Sequence, residues 1–199
     1  MKSNVCKIEK GTKDLAAILK ESEKVAVYNE LTHKQTLQLR LLCEEIDGML
    51  PELIGDFDGD LWIEFEDGVC KVNVAIEFDE FSTKKKEKLV ALSKNNKNAA
   101  AVGIVGKIRS AIEDFFLNED NLHAYIMSNG TYHFATGYAD GVDYSYIWSL
   151  DQYKVNVKKE KESENWDELE KSVIASVADD VVVGVKGSKA SIVITKKFA

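Results

Sequence analysis

The chain has 199 residues, of which 26 are lysine or arginine and 34 are aspartate or glutamate, so its formal net charge is −8. This acidic balance argues against a protein that binds the nucleic-acid backbone generally, because such a protein needs clustered positive charge. The length fits one globular domain over residues 1–199. No apolar run approaches the ~20 residues that span a bilayer, and the start has no signal-peptide core. We therefore expect a cytoplasmic protein whose three separated cysteines are reduced.

Two helices are predicted in the first part of the chain. Apolar residues at helical spacing predict the first helix over residues 12–31. Thr32 and Gln35 then form a capping box, in which each side chain bonds the backbone N–H of the other residue, and this predicts the start of a second helix. Pro51 predicts a kink or the end of that helix, because proline lacks the backbone N–H that a helix interior uses.

A β-hairpin is predicted over residues 60–78. Asp67-Gly68 favours a two-residue type I′ loop at its centre. Counting outward from this loop gives three apolar cross-strand pairs on one face: Phe65–Cys70, Ile63–Val72 and Leu61–Val74. Register and burial therefore agree. After a polar, lysine-rich loop over residues 82–98, apolar residues at helical spacing predict a third helix over residues 99–116.

The rest of the chain predicts strands on both sides of one more helix. A β-meander is expected over residues 121–158, with two-residue turns at Asn129-Gly130, Asp140-Gly141 and Asp151-Gln152. Four aromatic residues of this meander are predicted to share one face, which either packs on the protein's own helices or binds a partner: Tyr144, Tyr146, Trp148 and Tyr153. A fourth helix is expected from Trp166 to Val177. A final hairpin about Gly187-Ser188 would pair Val181, Val183 and Val185 with Ile194, Ile192 and Ala190.

The order of these elements resembles the GHKL fold, which histidine kinases and HSP90-like ATPases share, and within it the bacterial anti-sigma-factor serine kinases. The resemblance covers residues 10–117 and 165–198. It implies an α+β two-layer sandwich in which helices pack on a mainly antiparallel mixed sheet. Residues 118–160 would then be an inserted β-meander, and residues 82–98 would be a loop like the lid of a nucleotide site.

The resemblance also implies a site for ATP with Mg²⁺ that begins on the second helix. In that family a glutamate on this helix acts as the general base, and an asparagine four residues later holds Mg²⁺ against the phosphates. Glu44 or Glu45 stands at the position of the base. Gly48 and Met49 occupy the positions where the asparagine is expected, which leaves Asp47 as the Mg²⁺ ligand.

Three further residues complete the site that the resemblance implies. Glu77, at the end of the hairpin, resembles the acid that bonds the adenine amino group, and Asp79 follows it. Lys107 on the third helix is placed to approach a phosphate. The segment Gly103–Lys107 is not a P-loop, because two residues separate its glycines and no serine or threonine follows the lysine. The glycines that the family carries after the adenine-binding acid and before the last helix are absent.

These observations predict a regulatory protein of the anti-sigma-factor type, with ATP binding weakened or lost and a protein partner as its main target. The resemblance implies a partner like a sigma factor or an anti-sigma antagonist, and it leaves a homodimer open. If chemistry survives, it is an ATP-dependent transfer of phosphate to a serine of the partner. The alternative is a nucleotide-free interaction module that uses the fold as a scaffold and the meander as its contact surface.

Overall fold

The computed structural model describes residues 1–9, 15–53, 57–78, 103–117, 136–139, 142–158, 172–186 and 188–198. These residues form an α+β structure with one open seven-stranded sheet in the order β1-β2-β3-β7-β6-β5-β4. The strands are β1 Cys6–Glu9, β2 Phe57–Glu66, β3 Val69–Phe78, β4 Thr136–Ala139, β5 Val142–Ser149, β6 Asp180–Lys186 and β7 Lys189–Lys197. The helices are α1 Leu15–Tyr28, α2 His33–Leu53, α3 Gly103–Leu117, α4 Leu150–Lys158 and α5 Val173–Val177.

Every strand pair of the described sheet is antiparallel. The α+β class and the antiparallel character of the sheet are therefore confirmed, whereas the predicted mixed sheet is wrong for this part of the chain. The two predicted hairpins become neighbours because β3 pairs with β7, with Val74 opposite Ile192. This long-range pair joins the first half of the protein to its last strands.

The first two helices form an antiparallel hairpin whose second member begins as predicted. The hydroxyl of Thr32 accepts the N–H of Gln35 at 3.4 Å, and the side-chain oxygen of Gln35 accepts the N–H of Thr32 at 2.9 Å. This reciprocal pair satisfies donors that the first turn of a helix leaves without partners. Helix α2 continues only to Leu53, two residues beyond Pro51.

The register of both predicted hairpins is confirmed. In the first, Phe65, Ile63 and Leu61 oppose Cys70, Val72 and Val74. Asp67 and Gly68 have φ values of 49° and 76°, the left-handed backbone that a type I′ loop requires. In the second, Val181, Val183 and Val185 oppose Ile194, Ile192 and Ala190.

The core lies between one face of the sheet and the helices. Alternate residues of β2, β3, β6 and β7 point into it, as period-two burial requires. The helices contribute apolar stripes at helical spacing, which include Ile18, Val25, Leu39, Leu42, Cys43, Ile46, Leu50, Ile104, Ile108 and Ile112. Within the described ranges no helix combines the length and the apolar character needed to cross a bilayer.

The structure corrects the predicted meander after Ser149. Strands β4 and β5 pair as a turn at Asp140-Gly141 requires, with Ala139 opposite Val142. Leu150–Lys158, however, is helix α4 and not a strand. The predicted turn at Asn129-Gly130 and the loop over residues 82–98 lie outside the described residues.

Helix α4 forms because its first turn is capped twice. The hydroxyl of Ser149 accepts the N–H of Gln152 at 3.3 Å. A carboxylate oxygen of Asp180, at the start of β6, accepts the N–H of Asp151 at 3.1 Å. Caps of this kind satisfy the N–H groups that the first turn leaves open, and negative charge is favourable at this end of a helix. The same residues that looked like a turn therefore begin a helix.

Candidate functional site

The acidic turn of α2 is partly exposed on the surface of the helix layer. The side chain of Glu44 is ion-paired with Arg40 of the same helix, with 3.0 Å between Nε and Oε1. Arg40 also reaches Glu23 of α1, at 3.6 Å between Nη1 and Oε1. Glu44 is thus part of a surface ion-pair network that joins α1 and α2.

Glu45 and Asp47 lie on opposite flanks of α2. Residues two positions apart on an α-helix are separated by about 200° around its axis. The buried residue Ile46 lies between them in sequence and points into the core. A metal ion bound by Asp47 would therefore not lie beside Glu45 without a large displacement of one side chain. Among the residues that the structure describes, no group of three His, Cys, Asp or Glu side chains is arranged to hold a metal ion.

Glu77 lies on the sheet face that points away from the helices. Its neighbour Ile76 is 2% exposed and belongs to the core, so the alternation of a strand turns Glu77 to the other face. There its carboxylate lies 3.8 Å from Nζ of Lys189, its register partner on β7. Helix α2 packs on the core face, so the sheet separates the carboxylate of Glu77 from those of Glu44 and Glu45.

The remaining predicted site residues fall in two places. Lys107 is half-buried on α3, a helix that packs against α2. Asp79 lies outside the described residues. The structure therefore brings the helix of Lys107 next to the helix of Glu44, Glu45 and Asp47, and it places Glu77 elsewhere.

The three cysteines are buried thiols. Cys6, Cys43 and Cys70 all lie inside the protein and do not form disulfides with one another. Burial raises the pKa of Cys70 to about 12 and raises the pKa of Cys43 as well, where the nearby thiols of Cys70 and Cys6 add to the effect. A thiol must ionise to attack an electrophile or bind a metal, so the raised pKa values disfavour both reactions at Cys43 and Cys70.

A register shift in β5 interrupts the predicted aromatic face between Tyr146 and Trp148. The ladder between β5 and β6 shifts by one residue, so that Tyr146 opposes Gly184 whereas Trp148 opposes Val183. Adjacent positions of β6 belong to opposite faces of the sheet. The side chain of Trp148 is 9% exposed, joins the core and packs against Tyr153 at 5.9 Å between ring centroids. Trp148 is therefore a core residue, and its ring packs on the protein itself.

Three large apolar side chains of α1 and α2 are exposed, although no predicted site residue is among them. Val27 and Tyr28 end helix α1 with exposed fractions of 80% and 72%, and Leu37 in α2 is 50% exposed. The sequence carries a signal for them, because Val27 and Leu37 each lie two residues from a buried position of their own helix, Val25 and Leu39. Such residues point away from the core.

Comparison of this chain with protein-family models, with curated proteins and with solved structures finds no match in any of the three.

Proposed function

We propose that this chain is a regulatory domain that binds a protein partner without using a nucleotide, and that its α+β frame is a scaffold. The observation that carries the proposal is the separation of the acidic residues. Glu44 is paired with Arg40 on the helix layer, and Glu77 is paired with Lys189 across the sheet. A nucleotide site of the GHKL kind needs both acids to face one pocket.

Charge supports the same conclusion. ATP brings several negative charges, which a site compensates with Mg²⁺, with cationic side chains or with backbone N–H groups at a helix start. The chain has a net charge of −8, and Gly48 stands where the family has its Mg²⁺-binding asparagine. The cations beside Glu44 and Glu77 are Arg40 and Lys189, and each already pairs with that carboxylate. The proposed partner is a protein like a sigma factor or an anti-sigma antagonist, as the resemblance implies.

One observation favours a second candidate function, an ATP-dependent serine kinase. Helix α3 packs against α2, so Lys107 and the acidic turn with Glu44, Glu45 and Asp47 belong to neighbouring helices. In this alternative Lys107 approaches a phosphate, Asp47 holds Mg²⁺, and Glu44 or Glu45 takes the proton from the serine hydroxyl. Glu77 has no part in it.

Thermal unfolding with and without Mg-ATP or Mg-ADP separates the two candidates. A ligand at about 100 times its dissociation constant stabilises the folded state by about 2.7 kcal/mol, which raises the Tm of a chain of this length by roughly 5–11 °C. We expect no rise at millimolar nucleotide. The control is the variant Asp47→Asn, which keeps the size of the side chain that would hold Mg²⁺ and removes its charge.

A rise in Tm that needs Mg²⁺ and disappears in Asp47→Asn would overturn the nucleotide-free proposal, and transfer of phosphate from ATP to a serine of the partner would then test the second candidate. Binding of the partner is then measured by calorimetric titration with a purified sigma factor, with and without nucleotide. Heat of binding that is the same in both conditions supports the scaffold function. Binding that requires nucleotide contradicts it.

A further inference from the structure

We draw no further inference here: the strongest candidate, the row of exposed carboxylates that Glu9, Asp58 and Glu77 form across β1, β2 and β3 on the sheet face that points away from the helices, is a cluster of acids, and nothing in the part of the chain that the structure describes points to a ligand for it.

Discussion

Glu21 is a buried carboxylate that fastens the first residues of the chain to helix α1. It is 8% exposed, and its two oxygens accept the backbone N–H and the side-chain amide of Asn4, each at 3.2 Å. The ammonium group of Lys24 bonds the same carboxylate. The first residues of the chain also lie beside β2, where Ser3 donates its N–H to the carbonyl of Ile63 at 2.8 Å. Glu21 thus links α1, the chain start and the sheet.

The substitution Glu21→Gln keeps the size of this side chain and removes its charge. Hydrogen bonds to a charged group contribute about 1.5–3 kcal/mol each when buried, and the glutamine amide still accepts one of the Asn4 donors. We therefore expect a loss of about 2 kcal/mol, which lowers the Tm by roughly 4–8 °C for a chain of this length. Thermal unfolding at pH 7 measures it.

Glu23→Gln is the matched control, because it is the same change two residues away on the same helix. The Glu23 side chain is 59% exposed and pairs with Arg40 at 3.6 Å. Exposed pairs of this kind contribute about 0.2–1 kcal/mol, so the Tm should fall by less than about 4 °C. If Glu21→Gln unfolds at the same temperature as Glu23→Gln, the structural role given to Glu21 is wrong.

The effect of Glu21 should also depend on pH. The bond from Lys24, and then those from Asn4, hold the pKa of Glu21 below its usual range, although burial acts in the opposite direction. A carboxyl whose pKa is lower in the folded state contributes stability above its unfolded pKa of about 4.3 and loses it as the pH falls through the folded value. The stability difference between wild type and Glu21→Gln should therefore be full at pH 7 and shrink below about pH 4. A difference that stays constant down to pH 3 would refute the reasoning.

Three further substitutions test the packing. Trp148→Ala should lower the free energy of unfolding by about 3–5 kcal/mol, because Trp148 is 9% exposed and its ring packs on Tyr153. A variant that unfolds within a few degrees of the wild type would place Trp148 on the surface. Gly59→Ala should lower the free energy of unfolding by about 1–3 kcal/mol, because the added Cβ would lie 2.7 Å from the backbone oxygen of Ala75. Gly48→Ala should instead stabilise helix α2 by up to about 1 kcal/mol, because its added Cβ would meet nothing within 4 Å. Urea titrations of Gly59→Ala and Gly48→Ala measure whether the two changes in stability have opposite signs. Equal unfolding midpoints would contradict the prediction.

Two local patterns of the sequence indicate where the acids of the candidate site lie. The predicted register turns Cys70, Val72 and Val74 to one face. Odd-numbered residues of the strand then belong to the other face, and Glu77 is one of them. Arg40 lies four residues before Glu44, the spacing of an ion pair on a helix. Both signals indicate surface carboxylates. What the sequence could not give is the neighbour of Glu77, because Lys189 is brought there by the pairing of β3 with β7.

Helix α4 shows where local patterns compete. Tyr153 and Val155 alternate with polar residues as a strand would, and Asp151-Gln152 resembles a turn. Ser149 and Gln152 have the spacing of a capping box, which favours a helix. The cap is completed by Asp180, which is 29 residues away in the chain. Local sequence therefore left two outcomes open, and a tertiary contact favoured one of them.

The sequence by itself determined the features that depend on residues close together in the chain: the capping box at Thr32, the loop at Asp67-Gly68 and the register of both hairpins. Turn chemistry and apolar periodicity act over a few residues, so they can be read without the fold. The tertiary structure alone decided the strand order, the burial of Glu21 and the side of the sheet on which each acid finds its cation. These depend on which apolar faces bury each other, and that choice is made by the whole chain when it folds.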